Sequence, residues 1–322
     1  MTSYVQTRPR VSIGVPVYNG ERFLPRALQT LVDQDYDPLE IIVCDNGSTD
    51  ATEEIARGFA SRDRRISYHR SEVNRGAAWN FNRAFGLARG EYFKWAACDD
   101  ECLPGFLPAC VEALDDATYD VVLCYPKTAL IDEESRVVGT FEDDLELRQP
   151  RPHQRLAGLL RSNTEYHPVF GVIRADVLRA TRLIDTFVAS DIALLAELAL
   201  AGGFIEVPER LFARRFHSGT SMRANPRAED RAAWFDPAHG ARPVLPLTRL
   251  TAAFAGSVRR SVLPVGEKWR CLAAIQRHWL LPRLRDVAGE LKHAAAAEAQ
   301  RSLASLTDTP SARSRSQKQV TG

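Results

Sequence analysis

The residues best suited to chemistry are Asp99, Asp100 and Glu101, three acids in a row. They follow a short aromatic run, Tyr92 to Trp95, that reads as a strand, and Pro104 then marks the first turn of a helix. Adjacent carboxylates repel one another, so at the end of a buried strand they need a counter-charge. A hard divalent cation with oxygen ligands would supply one and would also hold a diphosphate. A solvated acidic turn accounts for the same residues, and taken alone they leave both readings open.

The elements that must position these acids follow a regular pattern. Residues 11–16 form a buried apolar run stopped by Pro16, and residues 21–34 carry helical periodicity through Phe23, Leu24, Ala27, Leu28, Leu31 and Val32. A second apolar run, 40–44, ends in Asp45-Asn46-Gly47-Ser48-Thr49-Asp50, where Ser48 or Thr49 is expected to cap the next helix. A strand at 66–69, Asn74-Arg75-Gly76, a helix to about Ala88 and the strand before the acids complete the series. Alternating strands and helices predict a parallel sheet with right-handed crossovers. Such sheets bind ligands outside the carboxyl ends of their strands. Residues 16–20, 45–48 and 99–101 fall there. Asp45 alone also reads as a turn residue, but three polar strand ends on one edge are less easily explained as turns. No GxGxxG follows the first strand, which argues against a dinucleotide-binding dehydrogenase, and no GxxxxGK[ST] occurs, which excludes a P-loop.

Bulk properties narrow the class further. With 322 residues and 45% hydrophobic content, the chain can bury a sizeable core. A net charge of +1 gives no argument for nucleic acid or an acidic partner. The first ten residues carry no apolar stretch and do not read as an export signal, and no run approaches the ~18 apolar residues of a membrane span. The six cysteines lack a second pair at zinc spacing and read as reduced thiols in a cytoplasm.

Val15-Pro16-Val17-Tyr18-Asn19-Gly20, the Asp45–Asp50 segment, Asn74-Arg75-Gly76 and Asp99-Asp100-Glu101 occur in this order and at this spacing. Together they resemble the family 2 glycosyltransferases, which have the GT-A fold, over roughly residues 10–220. The resemblance implies an α/β fold of GT-A type, a Rossmann-like and mostly parallel sheet flanked by helices. It implies that Pro16, Tyr18 and Asn19 line a nucleoside pocket. Asp45 would contact the base, typically uracil, and Asn74, Arg75 and Gly76 would close over the nucleoside. The acidic motif would bind Mn²⁺ or Mg²⁺ and the donor diphosphate. One departure concerns that motif: aligned on Pro104, Ala97 stands where the family's first Asp can stand. Asp99 is then the expected metal ligand and Asp100 the donor-side acid, with Glu101 outside.

The resemblance also implies roles further along. Asp191 stands in the first turn of an apolar helix, where the dipole favours a carboxylate. In the family an acid at this place is the general base, which takes the acceptor hydroxyl's proton as attack develops. Arg214 and Arg215 would stabilise the diphosphate, and His217 would be a further metal ligand or phosphate donor; a half-exposed basic strand is the other reading of this segment. His167 reads as structural. Glu142-Asp143-Asp144 reads as a solvated loop flanking the acceptor.

Beyond about Ala224 the resemblance fades. Helical segments interrupted by Pro264 and Pro282 carry arginines among Leu, Val, Ala and Trp, and residues 307–322 read as disordered. The expected organisation is a catalytic domain over 1–223, a helical C-terminal extension over 224–306 and a tail. The expected function is an inverting glycosyltransferase with a nucleotide-sugar donor, UDP-linked for preference, and a saccharide, lipid-linked or small-molecule acceptor. No nucleic acid is expected. The expected location is cytoplasmic, with peripheral contact at the inner face of a membrane through the basic C-terminal helices. Two rival readings are a sugar-phosphate nucleotidyltransferase, which usually needs a Gly-rich basic first loop, and an inactive nucleotide-sugar-binding scaffold.

Overall fold

The computed structural model describes residues 8–118, 120–162, 165–219, 225, 227–240 and 244–307. The apolar runs form strands β1 (Val11–Val17), β2 (Leu39–Asp45), β3 (Ile66–Arg70) and β4 (Tyr92–Trp95). Helices α1 (Leu24–Val32), α2 (Thr52–Arg62) and α3 (Ala77–Gly86) connect them. These four strands pair in parallel in the order β3-β2-β1-β4, and β1 and β2 are buried along their whole length. The N-cap of the helix after β2 is Ala51, which makes no side-chain cap; Asp50 just before it accepts the Thr52 N–H at 3.0 Å, and neither Ser48 nor Thr49 caps the helix.

Beyond β4 the sheet becomes mixed. β8 (Val172–Arg174) inserts antiparallel between β4 and β6 (Val121–Ile131). On its other side β6 runs parallel to β9 (Gly203–Arg215), and β9 then pairs with the two-residue β5 (Glu101–Cys102). β7 (Val137–Phe141) makes a hairpin with β6. The register between β6 and β9 shifts around Pro126 and Lys127, and this bends the long pair so that its far end curls back to the acids. β6 begins at Val121, and Tyr119 lies outside the described residues. Residues 167–170 form a 3₁₀ turn leading into β8.

The two faces of β4 divide the core by their two-residue period. Phe93 and Trp95 face the cluster that holds α5 (Pro152–Arg161) and α7 (Ser190–Ala201); Tyr92 faces the cluster that holds α1 and α4 (Phe106–Asp116). Lys94 points to the second side and is fully buried. Its ammonium donates to the Phe170 carbonyl at 2.6 Å and lies 4.1 Å from the Phe106 ring centroid.

A short helix α6 (Ala175–Arg179) follows β8, and α8 (Ala228–Phe235) follows β9. The C-terminal helices are α9 (Pro246–Arg260), α10 (Val265–Ile275) and α11 (Leu284–Thr307), the last two joined by a π turn at Gln276–Leu280 and a 3₁₀ turn at Leu281–Arg283. Leu250, Phe254, Val258, Cys271, Ile275 and Trp279 pack in the same cluster as α5 and α7. Glu197 of α7 ties this layer down, accepting from Ser257 Oγ at 2.7 Å and pairing with Arg260 at 2.6 Å. Of the tail expected over 307–322, Thr307 ends helix α11, and residues 308–322 lie outside the described residues.

Candidate active site

The carboxyl ends of β1, β2 and β4 open into a cleft of about 430 Å³. Pro16, Tyr18, Asn46, Asn74, Asp99 and Arg214 are among its lining residues, with Phe81, Phe170 and Trp234 as apolar walls.

One end of the cleft is built on a latch of amides. Asn46 Nδ2 donates to Asn74 Oδ1 at 2.9 Å and to the Gly76 carbonyl at 3.1 Å, while Asn46 Oδ1 accepts the Arg75 N–H at 3.0 Å. Asn74 Oδ1 also accepts the Gly76 N–H. The loop after β2 and the loop before α3 therefore move as one piece. Asp45 lies beneath this latch, with no exposed surface. Its Oδ1 accepts the Ser48 N–H at 2.8 Å, and its Oδ2 accepts the Tyr68 hydroxyl at 2.6 Å and lies 3.5 Å from Arg70. The structure thus brings Asn46, and not the neighbouring Asp45, into the cleft wall. Asn19 also works from behind: its side chain accepts the Thr49 N–H at 2.9 Å and its own N–H donates to Ser48 Oγ, which ties the loops after β1 and β2 together. The Arg75 guanidinium sits on the Trp79 ring, 4.5 Å from its centroid. Gly76 has φ of +88°, and a Cβ there would meet the Phe235 carbonyl at 2.5 Å, so the end of α8 rests directly on its backbone.

At the other end the acids meet β9. Asp99 Oδ2 and His217 Nε2 are 2.9 Å apart, and His217 packs on Phe23 at 4.6 Å between centroids. Burial pushes the Asp99 carboxyl up, but the His217 hydrogen bond and the Arg214 charge outweigh it and hold the group below the usual carboxylate range. Asp100 is buried, pairs with Arg214 Nη1 at 2.8 Å and accepts the Arg215 N–H at 2.9 Å. Burial raises its carboxyl against the pull of Arg214, and neighbouring Asp99 adds to the rise. Two adjacent acids are thus driven apart in proton affinity by what each one faces.

Three expectations need correction here. Arg215 does not face the cleft. Neighbouring residues of a strand point to opposite faces, and Arg214 takes the cleft side. Arg215 is 1% exposed by side chain and donates to the Asp99 carbonyl, the Asp132 carbonyl, Glu101 and Ser135 Oγ. It anchors the acidic loop from below. Glu101 is not outside but buried, holding Arg215 at 2.5 Å and Arg26 at 3.1 Å. Glu142-Asp143-Asp144 is not simply solvated: Glu142 pairs with Lys127 and Arg210, and buried Asp143 lies 3.2 Å from His167 Nδ1. His167 is buried between Phe141 and Phe212, which fits a structural role.

Asp191 is half-buried in the first turn of α7, its Oδ1 accepting the Ile192 N–H at 3.0 Å. Burial pushes its carboxyl up, opposed by local N–H groups and by the charge of Arg214, which places Asp191 within electrostatic reach of the cleft wall. Tyr166 stands near it and feels its charge.

Among the described residues no group of three or more His, Cys, Asp or Glu side chains is arranged to hold a metal ion. The fit of a divalent cation rests on Asp99 and His217. These two atoms hydrogen-bond each other at 2.9 Å, so a cation held by both would replace that bond and displace its proton, and a hard ion that keeps water and phosphate oxygens in its remaining positions needs few further ligands from the protein.

Sequence reasoning missed Asn46, Asn80, Phe81, Phe170 and Trp234. Asn46 carried a signal as part of the Asp45–Asp50 segment. Asn80 donates to the Cys44 carbonyl at 2.7 Å and locks α3 to β2, but one asparagine in a helix announces nothing.

A curled mixed sheet flanked by helices, with a cleft at its strand ends, is a fold of the GT-A type. The chain belongs to glycosyl transferase family 2, whose family model matches residues 12–181, more than half of its length. It is 26% identical over 213 residues to an uncharacterized glycosyltransferase of Haemophilus influenzae, covering 65% of this chain and 66% of that protein. A GalNAc(5)-diNAcBac-PP-undecaprenol beta-1,3-glucosyltransferase of Campylobacter jejuni is 31% identical over 109 residues, 34% of this chain and 35% of that protein. The chain spans about half the length of several other curated relatives, 47% for an uncharacterized glycosyltransferase of Rickettsia typhi. Among solved structures, S. aureus TarS 1–349 in complex with UDP-GlcNAc superposes with a TM-score of 0.63 at 18% identity, covering 88% of this chain and 79% of that one. Mannosyltransferase PcManGT from Pyrobaculum calidifontis in complex with GDP-Man and Mn²⁺ gives 0.50 at 20% identity, covering 90% and 87%. At these identities the structural likeness speaks for the fold alone. Among the described residues no helix is long and apolar enough to cross a membrane.

Proposed function

We propose that the chain is an inverting glycosyltransferase that moves a sugar from a nucleotide-sugar donor, a UDP-sugar for preference, to an acceptor hydroxyl. The observation that carries this reading is the cleft itself, with an amide latch at one end, Asp99, His217 and Arg214 at the other, and Asp191 nearby. Tyr18 and Asn46 would face the nucleoside, while Asp45, Asn19, Arg75 and Gly76 hold the loops that present them. Asp99 and His217 would hold Mn²⁺ or Mg²⁺, which when bound supplies charge for the donor diphosphate. Arg214 would stabilise negative charge on the departing nucleoside diphosphate, with Asp100 fixing the guanidinium from behind. Asp191 would take the proton of the acceptor hydroxyl as its oxygen bonds to the anomeric carbon. The bond from that carbon to the diphosphate breaks on the opposite side, and its electron pair leaves with the nucleotide. Holding the partners in line would supply much of the acceleration.

Cell-surface polysaccharide, glycolipid and natural-product glycosylation all suit this chemistry, at the cytoplasmic face of a membrane for lipid-linked acceptors. The test is calorimetric binding of UDP, GDP and dTDP, each with and without Mn²⁺, to the parent and to Asp99→Ala. The expected result is metal-dependent binding of one nucleotide, UDP for preference, that the variant loses. A folded parent that binds none of them would sink the donor-site assignment.

A further inference from the structure

The outer side of the C-terminal helices carries a feature that sugar transfer does not use. Val262 in the turn before α10 is 102% exposed, Val265 72% and Trp269 67%. Val265 and Trp269 are four residues apart and share one helical face. Ala273 and Gln276 continue it outward, while Glu267, Cys271, Ala274 and Ile275 face the core. The backbone stays helical through the π turn, and exposed Leu281 and Leu284 follow. Exposed positions therefore recur every three or four residues, with one step of five at the π turn, where a wider turn takes an extra residue.

The charges beside this stripe are one-sided. Lys268 flanks it on one side and Arg270 and Arg277 on the other; Arg259 and Arg285 stand near its ends. Among the described residues Arg259, Lys268, Arg277 and Arg285 have no carboxylate within ion-pair distance, whereas Glu267, the one acid of α10, is turned inward to His153 and Arg270. Asp286 is the exposed acid at the far end. Arg161 and Arg277 crowd His278 closely enough that, after burial, their charge further disfavours its protonation. An exposed Trp in an apolar stripe bordered by uncompensated cations matches the boundary between acyl chains and anionic headgroups.

We propose that the stripe running from Val262 through Val265 and Trp269 to Leu284 docks this protein on an anionic lipid bilayer, with Trp269 at the headgroup boundary. The inference deepens the proposed function and rests on it only for its purpose: Arg283, beside the stripe, acts on Tyr166, the neighbour of Asp191, so docking would bring the acceptor side towards the lipid.

The experiment is cosedimentation of the full chain with vesicles of phosphatidylcholine alone and of phosphatidylcholine mixed with phosphatidylglycerol, at low and raised salt. The parent is expected to sediment with the mixed vesicles only, and less at raised salt. Removing a cation weakens partitioning about fivefold, so Lys268→Gln and Arg277→Gln together should cost roughly 25-fold. Trp269→Ser should also reduce it, while nucleotide binding measured by calorimetry stays at the parent's level in all variants. Equal sedimentation with both vesicle types, or none with either, overturns the proposal. A concentration-dependent dimer in size exclusion, lost in Trp269→Ser without vesicle binding by the parent, would give the stripe to a second copy of the chain. Nucleotide binding reads the donor site independently, so failure of either reading leaves the other standing.

Discussion

At the scale of single residues, the site works by giving neighbouring acids different surroundings. Asp99 faces His217 and is held in its charged form, while Asp100 is enclosed with Arg214. Asp191 is lifted by burial without a paired cation, and a base needs that lift to accept a proton near neutral pH. Asp191→Asn should lower kcat by about 10²- to 10⁴-fold and leave nucleotide binding by calorimetry intact. The sign of its effect on stability is opposite. Because the folded state raises this carboxyl above its unfolded value, its contribution to stability is full below the unfolded pKa and falls as pH rises through the folded one. Asp191→Asn should therefore melt no lower than the parent at neutral pH. A variant that loses activity together with several degrees of Tm would show a structural residue. The parent's kcat should rise with pH through the range in which Asp191 gives up its proton, above the ordinary carboxylate range.

Residue identity alone did not settle which arginine serves the cleft. Arg214 and Arg215 look alike in the sequence, and their sides are decided by the pairing of β9 with β6 across a shifted register. The seat of Lys94 was equally unreadable, since a lysine in a strand ordinarily marks an exposed position, whereas here Phe106 and two carbonyl groups enclose its ammonium.

At the scale of elements, the parallel half was legible because buried parallel strands read as unbroken apolar runs. β5 was not, since two residues carry no period. Nor was α8, whose place over the cleft depends on contact with one glycine. That contact gives a prediction. Gly76→Ala puts a side chain at a backbone conformation that costs ~1–3 kcal/mol and drives its Cβ into the Phe235 carbonyl. The substitution should lower Tm and expose residues 228–235 to limited proteolysis. It should also weaken nucleotide binding, since Trp234 leaves the cleft wall with the helix. Unchanged proteolysis and affinity would mean that α8 is not held there.

At the scale of the whole molecule, the C-terminal helices are fastened to the catalytic half by a common core. Phe254, Cys271, Ile275 and Trp279 cover α5 and α7, and the Glu197–Arg260 pair borders them. A chain ending at residue 223 would leave that face bare to water. At about 1.5–3 kcal/mol for each large apolar side chain buried, the loss is of the same size as the ordinary stability of a domain. The truncated chain should aggregate or bind dye as an expanded state. A monodisperse, nucleotide-binding fragment would show two separable units.

The long pairing of β6 with β9 has a consequence for how the molecule comes into being. Strands β1, β2 and β3 pair with near neighbours in the chain, while β4 reaches back across them to β1. β6 must wait for β9, some 80 residues later, and loop closure over such distances is slow. Arg214 and His217 ride on β9 or just beyond it. A nascent chain therefore completes its cleft only when β9, its last sheet strand, and the helix α8 beyond it are both in place.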